Sequence, residues 1–209
     1  GFALVVRKHP YWGVLLVTLA VAVKPIGLVA LPFAGLLWAG QGASMKLVVR
    51  RWCESAAIAL TVMVGLAFVS GTGFGWLDAV ATPASVRTWL SPPTAVGMAV
   101  GGVIDFFGLH TTDTLIDVFR VLATAAAVAF IAYLCLRPGT RNPVRAAGLA
   151  FLALVVFGPA VQPWYLLWAL PLLAATALTK AETRWMVYGT VGLTFFSLGS
   201  HLVDGASYL

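Results

Sequence analysis

A lysine followed by a proline inside a long apolar stretch is the most chemically suggestive feature of this sequence. Lys24 lies between Val23 and Pro25, with apolar runs at 11–23 and 25–40 on either side. A lysine at membrane depth is costly and marks a functional site with an anionic partner, unless it snorkels to the headgroups. The short flanking runs and the helix-breaking proline favour the functional reading. Arg120 comes next, in Asp113-Thr114-Leu115-Ile116-Asp117-Val118-Phe119-Arg120. Asp117 and Arg120 are i, i+3 and can pair on one helical face. An Arg120 free of that pair offers a planar fork suited to a phosphate.

The densest motif is Gln162-Pro163-Trp164-Tyr165-Leu166-Leu167-Trp168-Ala169-Leu170-Pro171. It reads either as belt aromatics at a helix start or as a sugar site. In the second reading Gln162 hydrogen-bonds a hydroxyl while Trp164 and Tyr165 stack on a ring. A further polar and aromatic set, Trp76, Asp78, Arg87, Trp89 and Ser91, falls in a loop. Asp78 is either a general base or a solvated loop carboxylate. His9, His110 and His201 lack metal-ligand spacing, so no zinc site is expected. There is no phosphate-binding glycine loop, dinucleotide fingerprint, nucleophile elbow or HExxH. No cofactor is evident, and a divalent metal remains an open question.

These residues sit in a chain built for lipid. Hydrophobic residues make up 61% of the 209, charged residues 10%, and mean hydropathy is +0.96. A soluble domain runs at about 45–50% apolar and about 25% charged. The net charge of +6 falls in short clusters between apolar runs, which argues against nucleic acid and for topology determinants. The spacing predicts transmembrane helices over 11–23, 25–40, 54–70, 113–136, 146–161, 164–179 and 185–203, in one transmembrane domain over 1–209.

Charge supports seven crossings. Arg7, Lys8, Lys46, Arg50, Arg51, Arg137, Arg141, Arg145, Lys180 and Arg184 then share one side, which the positive-inside rule makes cytoplasmic. Merging 11–40 into one crossing would set Arg7 and Lys8 against the 46–51 cluster. The eight tryptophans fall near predicted helix ends or in the outer loop, as an aromatic belt requires. Residues 71–112 form that loop on the outer face. Within it a short helix is expected from Thr82-Pro83 through Leu90, ended by Ser91-Pro92-Pro93-Thr94. An interfacial or re-entrant segment is expected over 95–108. Cys53 and Cys135 fall at cytoplasmic helix ends and are expected to be free thiols.

Three stretches carry a resemblance: Gly73-Phe74-Gly75-Trp76-Leu77 with Thr82-Pro83-Ala84-Ser85-Val86-Arg87-Thr88-Trp89-Leu90-Ser91-Pro92-Pro93-Thr94; Val23-Lys24-Pro25; and Gly158-Pro159-Ala160-Val161-Gln162-Pro163-Trp164-Tyr165-Leu166-Leu167-Trp168. Together they resemble the polyprenol-phosphate-mannose-dependent α-1,6-mannosyltransferases of actinobacteria, membrane glycosyltransferases of the GT-C architecture. The resemblance implies an all-α, polytopic helix bundle in the cytoplasmic membrane, with its active face outside. It implies a polyprenyl-phosphate mannose donor, a mannan or lipomannan acceptor, and one inverting displacement. By the same token Lys24, with Arg120 or Arg87, would hold the donor phosphate. Gln162, Trp164 and Tyr165 would line the sugar or acceptor groove, with Trp76 and Asp78 of the outer loop. The family's catalytic aspartate lies near the N-terminus, and this chain is expected to begin after it, so no catalytic base is assigned. The rival readings are a transporter or flippase of lipid-linked sugars, which symmetric halves would favour, and a non-catalytic membrane scaffold.

Overall fold

Apolar runs without β-branched alternation form helices, and in a computed structural model of the chain the regular structure of the described residues is helical. No strand occurs among the described residues, which are 1–71, 73, 88–137, 142–159 and 161–206. In chain order the helices are α1 (Phe2–Val6), α2 (Pro10–Val23), α3 (Ala30–Ala39), α4 (Met45–Val69), α5 (Pro92–Asp105), α6 (Thr112–Leu136), α7 (Pro143–Phe157), α8 (Leu166–Ala174) and α9 (Lys180–Ala206). Short 3-10 turns at Pro25–Val29 and Pro163–Tyr165 lead into α3 and α8.

The helices fall on the expected apolar runs, with two instructive differences. The third begins at Met45 rather than residue 54. Ser44 Oγ accepts the Leu47 N–H at 3.4 Å as an N-cap. Glu54 then pairs with Arg50 at 2.9 Å and with Arg51, spacings that stabilise charged helical turns. Apolar periodicity alone does not see such turns. The second difference is Ser91-Pro92-Pro93, expected to end a helix. It starts α5 instead, with prolines where the missing N–H groups cost nothing. Residues 88–90 form no helix, and the rest of the helix expected from Thr82 lies outside the described residues.

Among the described residues two helices, α4 and α6, are long and apolar enough to cross a membrane. At 25 residues each they reach about 37 Å, against a hydrocarbon core of about 30 Å. Only 17% and 22% of their apolar stretches are buried, unlike the core helix of a soluble protein. Among the described residues, Pro10–Val23, Pro25–Ala39 and Pro143–Phe157 are apolar but shorter: α2, with 14 residues, measures about 21 Å.

The chain divides into two compact units, Gly1–Thr82 with Ile131–Ala147, and Pro83–Phe130 with Gly148–Leu209. In the first, α2 and α3 fold back on each other and pack on α4. Val14, Val17 and Val21 of α2 meet Leu31 and Ala34 of α3 and Ala59 of α4. Gly35 lets the Trp52 ring lie against the α3 backbone, and Trp52 Nε1 donates to the Pro32 carbonyl at 2.9 Å. Lys24 forms the bend of this hairpin.

In the second unit α5 lies antiparallel on the start of α6. A Cβ on Gly97 would stand 2.5 Å from Ile116 Cα, and one on Gly101 2.5 Å from Thr112 Cα. Asp105 closes the hairpin. Its carboxylate accepts the Thr111 N–H, the Thr112 hydroxyl at 2.6 Å, the Thr111 hydroxyl and the Thr112 N–H, both at 3.3 Å. The Thr112 hydroxyl, then the Thr111 N–H, hold its carboxyl below the usual range. A depressed folded-state pKa adds stability above the unfolded value and loses it as pH falls. We therefore expect melting in detergent to be level above about pH 5 and to drop below about pH 4. Asp105→Asn should melt lower than wild type near neutrality, and the gap should close in acid; a gap independent of pH would refute the role of the charge.

Candidate functional site

Helical spacing places Asp117, Arg120, Val121, Thr124, Ala125, Val128 and Ala129 on one stripe of α6. These residues, with Pro159 after α7, line one cleft of about 800 Å³. The stripe from Asp117 to Ala129 runs about 18 Å along the helix. Its character changes along that length. Asp117, Arg120 and Thr124 stand at one end, and the remainder is apolar. Arg120 is only 8% exposed, a largely buried cation that shares the polar end of the cleft with Asp117 and Thr124. Such a cation binds an anion far more strongly than a solvated one does.

The Gly158–Pro159 wall is fixed by a bond the sequence did not reveal. Ser91, fully buried, donates from Oγ to the Gly158 carbonyl at 2.9 Å. This ties the N-terminus of α5 to the turn after α7. Beyond that turn Gln162 is extended (φ −127°, ψ 146°), and its carbonyl accepts the Tyr165 N–H at 2.9 Å, which shapes the 3-10 turn.

The aromatic cluster divides into two roles. Tyr165 and Trp168 stack on each other with centroids 4.0 Å apart and planes at 24°. Tyr165 and Trp168 also pack on the core of Val155, Val161 and Leu166. Their facing surfaces are thus used within the fold. Trp164 meets Tyr165 edge-on at 6.3 Å and is 51% exposed, so its ring is open to a ligand. Behind the cluster is an apolar cavity of about 270 Å³ bounded by Leu152, Val155, Leu166, Leu170 and Leu193. Its lining is apolar apart from the Trp185 indole.

Lys24 belongs to the first unit. Its backbone is extended (φ −146°, ψ 113°), its N–H closes α2 on the Ala20 carbonyl at 2.9 Å, and its side chain is exposed. Arg120, Gln162, Trp164 and Tyr165 belong to the second unit. Trp76, Asp78 and Arg87 lie outside the described residues. Sequence reasoning missed Thr124 and Pro159 as cleft residues. Thr124 was within reach, being one turn beyond Arg120 on the same face.

Fold and site together define, among the described residues, a helical chain with two membrane-capable helices and a cleft along one of them whose polar end carries Arg120. Residues 93–203, more than half of the chain, match the family model of the MptB C-terminal domain, and the chain belongs to that family. It is 34% identical over 190 residues to an alpha-(1->6)-mannopyranosyltransferase of Mycobacterium tuberculosis, covering 85% of this chain and 32% of that protein. It is 30% identical over 216 residues to alpha-(1->6)-mannopyranosyltransferase A of the same organism, covering 99% and 41%. With alpha-(1->6)-mannopyranosyltransferase B of Corynebacterium glutamicum it shares 32% over 172 residues, covering 78% and 28%. The chain thus spans 28% to 41% of the length of these relatives. No solved structure matches it.

Proposed function

We propose that this chain is the donor- and acceptor-holding part of a membrane mannosyltransferase that forms α-1,6 linkages. The observation that carries the reading is the cleft on α6, with buried Arg120 at its head and an apolar stripe of about 18 Å below it. A polyprenyl-phosphate mannose matches that profile: phosphate at Arg120, and the first isoprene units along Val121, Ala125, Val128 and Ala129. The names of the similar proteins support mannosyl transfer.

The chemistry explains why a fixed cation belongs there. An acceptor hydroxyl attacks the anomeric carbon of mannose as the bond from that carbon to the phosphate oxygen breaks. The configuration inverts, and the hydroxyl proton goes to a base. The phosphate gains a negative charge as it departs, so a cation beside it stabilises the transition state more than the bound donor. Arg120 supplies a planar guanidinium for two phosphate oxygens. Lys24 and Arg87 are the further cations of the proposal. Gln162 and the exposed Trp164 ring hold the sugar or acceptor, with Tyr165 bracing Trp164, and Trp76 and Asp78 are the further sugar- or acceptor-binding residues of the proposal. The protein sits in the cytoplasmic membrane with seven crossings of GT-C type, its reaction facing outward on a mannan or lipomannan chain.

The test is transfer by the full-length protein reconstituted in vesicles, given polyprenyl-phosphate mannose and a short α-1,6-mannoside. Chain extension with this donor and none with a nucleotide-linked mannose is the expected result. Donor movement between leaflets without extension would move the assignment to a lipid-linked sugar transporter.

A further inference from the structure

The end of the first unit that carries Lys8 has features the transfer reaction does not use. Helix α1 closes on a tight turn in which His9 N–H donates to the Leu4 carbonyl at 2.8 Å and Lys8 N–H to the Val5 carbonyl at 3.1 Å. This paired pattern places one residue in the left-handed region, a position glycine normally occupies. Here it is Lys8, with φ +63°. Strain of this kind persists where the surrounding structure fixes it, often because the side chain has a use.

That side chain does not stand alone. Arg7 and Lys8 are both exposed. One turn on, Tyr11 meets Trp38 edge-on at 4.9 Å, and the Arg51 guanidinium lies 4.6 Å over the Trp38 ring. This column runs from Tyr11 of α2 through Trp38 of α3 to Arg51 in the second turn of α4, and Lys46 and Arg50 in the first two turns of α4 are exposed. Arg50 and Arg51 share Glu54. The sequence of this unit contains one other carboxylate, Asp78, so the end of the hairpin is strongly positive. Beside the cations stand large exposed apolar side chains: Val6 at 62%, Tyr11 at 64% and Trp12 at 64%. Cations ringed by exposed aromatic and aliphatic groups match the boundary between headgroups and acyl chains.

We propose that Arg7, Lys8 and Lys46 form a binding site for the phosphodiester headgroup of an anionic phospholipid, with Val6 and Trp12 against its acyl chains. The proposal rests on the membrane reading but not on mannosyl transfer, since the lipid is bound and not consumed. Its charges are bulk-facing, so the binding is weakened by salt.

The test is native mass spectrometry of the full-length protein released from detergent, with phosphatidylglycerol or phosphatidylcholine added at equal concentration. Phosphatidylglycerol should be retained at least tenfold better, and Arg7→Gln/Lys8→Gln/Lys46→Gln should remove most of that preference. Lys8→Gly separates charge from backbone: the turn relaxes, so melting holds or rises, while phosphatidylglycerol retention falls several-fold. If the triple variant does not fold, Lys8→Gly decides alone. Equal retention of both lipids, or a Lys8→Gly that binds like wild type, would overturn the site. Displacement of the lipid by millimolar glycerol 3-phosphate would make it a soluble-phosphate site and equally overturn the assignment. No donor is present in these measurements, so failure of mannosyl transfer leaves their outcome intact.

Discussion

Replacing Arg120 with leucine in the full-length protein is expected to cut mannosyl transfer at least ~100-fold, equivalent to about 2.7 kcal/mol of barrier. Leucine suits the surroundings, because residue 120 is only 8% exposed and the cleft beyond it is apolar. Besides its interaction within the fold, the side chain loses the positive charge proposed to lie beside the departing phosphate. Because that charge acts mainly in the transition state, the loss should appear in kcat, with a smaller change in KM for the donor. Arg120→Lys keeps the charge without the planar fork and should fall between the two. A rise in KM alone would mean that Arg120 holds donor and transition state equally. Lys24→Ala in the same assay tests the second cation: a large kcat loss places it at the phosphate, and unchanged transfer returns it to the headgroups. A melting curve for each variant separates chemistry from folding.

The second large effect concerns the hairpin that carries Arg120. Gly97→Ala is expected to destabilise it by about 1–3 kcal/mol, the range for forced overpacking. The new methyl would stand 2.5 Å from Ile116 Cα and 2.9 Å from Ile116 N, and backbone cannot step aside as a side chain can. Ile116 is one turn before Arg120, so a displaced α6 should also lower transfer. Gly102→Ala provides the control on the same helix. A Cβ there meets nothing within 4 Å, and alanine gains up to about 1 kcal/mol of helix propensity. The pair is read from melting temperatures in one detergent. Equal behaviour of the two variants would refute the close packing of α5 on α6.

Much of the fold was legible because long apolar runs have few alternatives to helix. Lys24 at a bend, the helix after Gln162 and the helix carrying Arg120 were all foreseen from proline position and apolar length. The register of α5 on α6 was not read, although Gly97-Met98-Ala99-Val100-Gly101 is the small-residue spacing that permits close helix contact. The role of Asp105 was not legible, because its four bonds come from Thr111 and Thr112 across a turn whose path the sequence does not state. Ser91 was read as a helix stop for the same reason: its partner, the Gly158 carbonyl, is 67 residues away. In the candidate site, the residue types at Arg120 and Trp164 were legible one by one. The cleft that unites Arg120 with Thr124 and Pro159 required the packing, since cavities are made by what neighbouring elements leave unfilled.

The most direct test of the account is to label the full-length protein with a polyprenyl phosphate bearing a photoreactive group near its phosphate end, then map the modified peptide. Label on α6 between Asp117 and Ala129, suppressed by excess polyprenyl-phosphate mannose and reduced in Arg120→Leu, is the predicted result. Competable label confined to other helices, with the α6 peptide unmodified, would contradict the assignment of this cleft to the donor.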